Sequence, residues 1–549
     1  MGAAKHMRLD QEQESLGLPR QMGLLLALAL VCTALSAAGC FLASALGGWS
    51  HGWFNRFWFA FFWICTFVLG AVFINRRKLG SKPELIYLII GLGTVLLFAI
   101  TISVRTVGWD IGTHYKNTLT FSDWEGEVEK SESDETFIRH NEVADRSQGL
   151  FRYLGMQEDI LDEYASVYYE SFERPQSILW YVTGVEYVLY SLVMKLCRLV
   201  GLSFSHTILL MRMAGGTFYV LITYLGMKKL KFGKMLYAAI CLLPSSMFLA
   251  VELGYSYWLF SLCLYGLASL VGMIQGNVKV GAGTLIKMLL ALFVGMLPRV
   301  VYFPLIFLCL FIPNKRFPSV RFARVYRGVI IGCAVATLCI WLVPRLLSGF
   351  GTGDARGGEV NPAGQISYIL SHPVEYAQLL LRFMLPPLKM EGGGADVEGV
   401  NLISGYLSPE ASPGLLVNYG YMARPHWIYT AAIWVMLGWT ALTDHDRKHR
   451  YSMLTALAAL VLTFGIFVLI TTSLYFDFTP VGLNEIHGVQ RRYIIPLIYP
   501  FLAFVVPNVL GLTGEDTKVN MRVYNGFVLL GMFAILLCSW FTTCVVAIV

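Results

Sequence analysis

The sequence predicts an all-α, polytopic integral membrane protein with about thirteen spanning helices, on three observations. The 549 residues are 56% hydrophobic and only 14% charged, where a soluble domain carries roughly 25% charged residues. Apolar runs of about 20 residues recur along the chain, each long enough to cross a ~30 Å hydrocarbon core as a helix. Barrel-type alternation is absent, and a backbone in lipid must satisfy its own polar groups, so these runs take helical form.

The elements follow in order. The first helix, 21–46, comes after Lys5, Arg8 and Arg20; it is too long for a signal-peptide core and more spans follow, so it reads as retained. Helices over 57–74 and 85–104 come next, then a long external segment, 105–205. Further spans fall at 206–227, 235–253, 256–275, 284–297, 300–313 and 325–346. The pair at 284–313 is short and broken by Pro298-Arg299, a shallow hairpin with Arg299 near its outer turn. A second external segment, 347–424, holds a helical stretch from His372 to Met384. Helices at 425–442 and 453–473, a short external loop at 474–492, and helices at 493–511 and 523–546 complete the chain. The organisation is a tail with two additional helices (1–84), a membrane core (85–511), and a cytoplasmic loop with a last helix (512–549).

Charge sets the expected orientation. Arg76-Arg77-Lys78, Lys228 to Lys234, Lys315 to Arg327 and Arg447 to Arg450 lie in short loops, and short basic loops stay on the cytoplasmic side. The net +7 is therefore a topology signal, not a nucleic-acid one. Arg105 to Pro175 holds sixteen acids against seven bases, which places it outside the cell, with the N-terminus cytoplasmic and the protein in the plasma membrane. The stretch Gln176 to Gly201 is apolar enough to span, but that would put Lys228 to Lys234 outside. It also carries Glu186, Lys195 and Arg198, so it reads as an amphipathic helix at the external interface. The eleven cysteines sit in or beside apolar runs and form neither a disulfide framework nor a zinc pattern.

Asp110 and His114 stand at the outer end of the third helix, four residues apart. That carboxylate can act as a general base toward a hydroxyl or help hold a divalent metal; the plain alternative is an N-capping Asp in a solvated loop. Arg299, Arg491, Arg492 and Arg212 lie in or beside apolar helices, where a charge is costly and has a partner. Arginine suits bidentate phosphate binding. The alternatives are headgroup snorkelling for Arg491 and Arg492, and for Arg212 an internal salt bridge to Glu252. Glu170, Glu173, Arg174 and Pro175 open the interfacial helix and can face the same cavity or simply be solvated. The acidic run Asp123 to Glu135 reads as a solvated, mobile loop and lacks EF-hand spacing. Trp109, Trp124 and Tyr168-Tyr169 are placed to stack on a sugar.

In this order, these landmarks resemble the bacterial polytopic membrane proteins of domain-of-unknown-function family 2142, related to the GT-C superfamily of lipid-linked-sugar glycosyltransferases. The family's Asp-Glu-x-x-His motif looks like Asp110-Ile111-Gly112-Thr113-His114. Glu173-Arg174-Pro175 matches a proline-containing start of an interfacial helix, Arg212 an arginine opening the next helix, and Pro244-Ser245-Ser246 a helix-end motif. Gly488-Val489-Gln490-Arg491-Arg492-Tyr493-Ile494-Ile495-Pro496 is similar to the most specific signature. The resemblance spans roughly 85 to 511. Ile111, Ser256 and Arg491 depart from it, standing where relatives have an acid, an Asp and a Gly.

The resemblance implies a GT-C-like bundle with external juxtamembrane helices. It implies transfer of a sugar from a polyprenyl-phosphate donor to a cell-envelope glycan or polymer acceptor on the extracytoplasmic face. Asp110 would accept the acceptor's proton, His114 would orient it, and Arg299, Arg491, Arg492 or Arg212 would bind the donor phosphate. Trp109, Glu173, Arg174, Gln490 and Tyr493 would contact sugar or acceptor. No cofactor is required by this scheme, and a divalent metal is compatible with it. The competing readings are a transporter or flippase of lipid-linked saccharides and a non-catalytic envelope-assembly protein.

Overall fold

The computed structural model describes residues 18–47, 56–102, 111–123, 128–131, 133–135, 137–138, 168–172, 178–276, 279–348, 360–384, 416–417, 419, 427–444, 451–486, 488–510 and 520–544. Among them the helices of six residues or more begin with α1 (Leu18–Gly47), α2 (Arg56–Ile74), α3 (Pro83–Thr101) and α4 (Ile111–Ser122). After the strands β1 (Val128–Ser131) and β2 (Tyr168–Phe172) come α5 (Ile178–Thr183), α6 (Tyr187–Val200), α7 (Phe204–Met227), α8 (Lys234–Cys241), α9 (Pro244–Val251), α10 (Ser256–Gln275) and α11 (Ala282–Met296). A 3-10 helix, Val300–Phe311, leads to α12 (Val320–Ser348), α13 (Pro362–Ser371), α14 (Pro373–Met384), α15 (Trp427–Thr443), α16 (Met453–Phe478), α17 (Ile495–Pro500) and α18 (Met521–Cys544).

Eight described helices are long and apolar enough to cross a membrane, nine if the bent pair α8–α9 is one span. Four shorter apolar helices, in α2, α11, the 3-10 helix and α15, occupy other expected span positions. The chain is thus an all-α membrane protein. The one described exception is the two-stranded antiparallel β1–β2 sheet.

Local chemistry explains where the helices differ from expectation. The expected span 235–253 is broken at Leu242–Leu243, with Pro244 opening α9 and a 54° bend between the halves, because proline removes a donor and clashes with the preceding turn. The expected interfacial helix is two pieces. α6 is only 14 residues long, too short to span. It buries Tyr187, Tyr190 and Met194 while exposing Leu192, Leu196 and Leu199. The second half of the Arg299 hairpin winds as a 3-10 helix containing Pro304. The helix expected from His372 to Met384 is preceded by a separate one, α13, capped by Asn361 accepting from Gly364 N at 3.0 Å.

The acidic run is corrected. It is not simply a solvated loop, because β1 pairs with β2 and Asp134 is fully buried. Asp134 accepts from Ser131 N at 2.7 Å and Tyr115 Oη at 2.5 Å, and Arg198 Nη2 meets it at 3.0 Å. With Ser131 Oγ, which donates at 2.9 Å, four donor groups offset the cost of burying that charge.

At the centre α10 lies between α7 and α11, and α7 also packs on α3. Glycines permit the α3–α7 approach: a Cβ on Gly91 would lie 2.8 Å from Val220, and one on Gly216 2.7 Å from Val95. Small residues let helix backbones close up in this way. Outward faces are apolar, as at Leu457, Val461 and Phe464 of α16.

The bundle has two distinct ends. One gathers the basic loops: Lys234 Nζ is 3.2 Å from Glu84, Arg316 Nη2 donates to Ile274 O at 2.9 Å, and Asn525 Nδ2 donates to Leu79 O at 2.7 Å. There Gln275, the last residue of α10, meets Tyr451 Oη at 3.1 Å. The first residue of α10, Ser256, lies at the other end, where the candidate site forms.

Candidate functional site

Five separate stretches of chain converge beside the start of α10. They are α4, the Gly184–Glu186 turn, the Glu252–Tyr255 link, the Leu297–Arg299 turn and the segment from Gln490 to Tyr493. None of the polar residues involved lies in the middle of a candidate span except at the start of the one beginning at Arg492.

His114 is the hub. It is buried on α4, a helix of mixed polarity outside the candidate spans. Its Nδ1 lies 2.6 Å from Tyr187 Oη, and Asn117 Nδ2 lies 3.2 Å from the same oxygen. An amide nitrogen can only donate, so the Tyr187 oxygen accepts from Asn117 and its hydroxyl links that amide to the His114 ring. Burial, then the positive charges of Arg492 and Arg299, push the His114 pKa down to about 3. At neutral pH it is an uncharged donor–acceptor, able to orient a neighbour and unable to serve as a cation.

The His114 ring meets the Tyr255 ring edge-on at 5.6 Å. The Arg299 guanidinium sits 4.4 Å from the Tyr255 ring centroid, and that of Arg492 lies 5.9 Å from the same ring and 5.6 Å from that of Tyr493. An aromatic face attracts an arginine through its ring quadrupole. Arg492 is buried. Arg299 is exposed to solvent although protein atoms crowd it on most sides. Two positive charges on one aromatic ring make a local anion-binding potential.

The support is specific. Tyr302 Oη donates to Tyr493 O at 2.6 Å, which ties the 490–494 segment to the 3-10 helix that Arg299 precedes. Gly488 has φ +77° and lies against the Phe478 ring, where a Cβ would come within 2.8 Å. A side chain there would be strained and would also clash. This is the physical reason for glycine in the Gly488-Val489-Gln490 motif.

Glu186 was passed over in the sequence as one charge in an amphipathic helix. It is 3% exposed, and its Oε2 is buried with no hydrogen-bond partner. Its carbonyl accepts from Tyr257 Oη. Burial raises its carboxyl to about 8 against the lowering effects of a backbone hydrogen bond and of Arg299. Asn117, Tyr187 and Tyr255 are equally new as site residues. The available signal was an acid inside an apolar run, which marks a functional site by default.

The other expected residues sort as follows. Arg212 is not free to bind phosphate. Its guanidinium donates to Ile102 O (2.6 Å), Ala99 O (3.1 Å), Val251 O (3.3 Å) and Phe98 O (3.4 Å). It caps the C-terminal ends of α3 and α9 together. Glu252 lies near enough to interact with it electrostatically, so the expected partner is present while backbone carbonyls do most of the holding. Tyr493 joins the cluster, and Gln490 carries a buried Oε1 without a partner. Asp110, Trp109, Glu173 and Arg174, and the Arg491 side chain, lie outside the described residues. Asp110 immediately precedes the first residue of α4. Among the described residues no three His, Cys, Asp or Glu side chains form a group that could hold a metal.

No curated protein and no solved structure matches the chain. A family model, described as predicted membrane protein (DUF2142), matches residues 179–501. That span carries Glu186, Tyr255, Arg299 and Arg492, while His114 precedes it. The match covers more than half of the sequence, and the chain belongs to this family of membrane proteins of unknown function.

Proposed function

We propose that the chain is a membrane glycosyltransferase. It moves a sugar from a polyprenyl-phosphate donor to a cell-envelope glycan or polymer on the extracytoplasmic face of the cell membrane, on a GT-C-like bundle of thirteen spans. The observation that carries this reading is the convergence of Arg299 and Arg492 on Tyr255 beside neutral His114 and buried Glu186. The orientation rests on the basic loops gathering at the opposite end, which the positive-inside rule assigns to the cytoplasm.

In this reading the acceptor hydroxyl oxygen attacks the anomeric carbon. The bond from that carbon to the phosphate oxygen breaks, and its electron pair leaves with polyprenyl phosphate. The hydroxyl proton passes to Asp110. The leaving group is an anion that needs positive charge more than a proton, and Arg299 and Arg492 provide it. His114 orients the reacting groups as a neutral ring. Glu186 supplies a second carboxyl at the site. No step is routed through a metal.

The test is release of polyprenyl phosphate from a sugar-labelled donor by the purified protein in lipid nanodiscs with envelope glycan present. Asp110→Asn is expected to lose about 10²–10⁴-fold in turnover and Arg299→Ala about 10²–10³-fold, both with an unchanged thermal midpoint. A donor left intact by the wild-type protein, as a lipid carrier or an assembly scaffold would leave it, refutes the reading.

A further inference from the structure

A concavity lies away from the arginine cluster. It is a cleft of about 170 Å³ between α14, the last turns of α13 and α16, and the Leu483–Asn484 loop. Its position is set by the chain: Asn484 and Arg492 are eight residues apart, so the cleft lies within about 29 Å of the arginine cluster even if the connecting segment is fully extended.

The wall is built from three tyrosines that are already fixed. The Tyr376 ring stacks on Tyr475 at 5.7 Å, and its hydroxyl is 2.5 Å from Thr472 Oγ1. Tyr475 Oη donates to Leu483 O at 2.7 Å. Tyr368 stacks on the His372 ring at 4.5 Å. Beneath them the fully buried Gln365 accepts from Gly482 N at 3.0 Å and pins the loop. Such a wall loses little conformational freedom when a ligand arrives.

The rim is polar and balanced in charge. Glu375 and Arg382 contribute one carboxylate and one guanidinium, and Gln378 and Asn484 add two amides. Arg382 Nη1 donates to Asn484 Oδ1 at 3.4 Å. This set has no positive excess for a polyanion and too little aliphatic surface for a lipid chain. Planar groups that both donate and accept, set beside amphipathic tyrosine rings, suit a ligand rich in hydroxyls with apolar C–H faces.

We infer that this cleft is a binding site for a neutral oligosaccharide, and that it holds the acceptor glycan whose end reaches the arginine cluster. The second clause rests on the transferase reading; the first does not.

The experiment screens the full-length protein in detergent against an array of neutral oligosaccharides from bacterial envelopes. Wild type is compared with Gln378→Ala/Asn484→Ala, with Gln378→Trp and with Arg299→Ala. Gln378 and Asn484 are exposed, so their removal leaves the packing intact, and Gln378→Trp fills the cleft from its rim. The expected result is wild-type binding that falls at least about tenfold in both cleft variants and is unchanged in Arg299→Ala. No oligosaccharide bound by wild type, or equal binding by wild type and the cleft variants, overturns the proposal. Glycan binding without any donor consumption would leave the cleft standing and remove the transferase reading alone.

Discussion

Glu186, which is buried, and Asp444, which is half-buried, are acids at opposite ends of the bundle, and they differ in what surrounds them. Burial raises the Asp444 carboxyl to about 7 and that of Glu186 to about 8. Asp444 is bonded into the fold: it accepts from Met235 N and from Leu236 N at 3.0 Å, at the N-terminus of α8, with Lys234 nearby. Helix N-termini favour negative charge, and Gly233 supplies the φ of +79° that presents these donors. Glu186 has a buried oxygen with no partner and an arginine across the site. A raised carboxyl pKa therefore accompanies a structural acid at one end and a reactive candidate at the other, and hydrogen-bond satisfaction tells them apart. The arginines divide likewise. Arg212 donates to four carbonyls, while Arg299 rests on the Tyr255 ring face and is exposed.

The sharpest way to break this contrast is Arg212→Met. It leaves the ends of α3 and α9 without their shared cap, and the expected loss of stability is on the order of 3–5 kcal/mol, read as a fall in thermal midpoint in detergent. A stable protein lacking only donor binding would move Arg212 into the site.

Glu186→Gln should act on turnover and on its pH dependence, with the fold intact. Wild-type turnover is expected to rise as pH passes about 8, and the variant should be slower by roughly ten- to a hundredfold and lose that rise. The stability effect has a definite sign. The folded carboxyl titrates above its usual range, so its contribution is fully present below about pH 4.5 and is lost as pH rises through about 8. Wild type should weaken toward alkaline pH more than Glu186→Gln does.

His114 behaves oppositely. Its folded pKa of about 3 lies below the usual 6.5, so its contribution is present above 6.5 and is lost as pH falls toward 3. His114→Gln should flatten the acid limb of the stability profile measured between pH 7 and pH 4.

The smallest effect is expected for Asp444→Asn. The amide keeps one acceptor for the α8 donors, so about 1 kcal/mol or less is lost near neutral pH, with turnover unchanged. A large loss of turnover would show that the two ends are coupled.

Fold and site were legible to different degrees. Hydrophobic runs located the long spans because membrane insertion depends on the summed hydropathy of about 20 consecutive residues. The break in 235–253 was visible only as Pro244, and its 54° bend depends on packing against α7 and α10. Asp134 read as one acid in a solvated run because its partners Tyr115 and Arg198 lie elsewhere in the chain. Arg299 and Arg492 could be named as cations near apolar helices. Their meeting on Tyr255 could not, since nothing local in either segment specifies the other.

By itself the sequence determined that this is a helical membrane protein, where its long apolar segments lie, and which ionisable residues stand out from them. Those properties follow from the composition of short windows. The tertiary structure decided that Arg212 is a cap, that Asp134 and Asp444 are bonded into the fold, and that Glu186, Tyr187 and Tyr255 join His114, Arg299 and Arg492 in one cluster. Burial and hydrogen-bond satisfaction are properties of surroundings drawn from distant parts of the chain, and they exist only once the helices have packed.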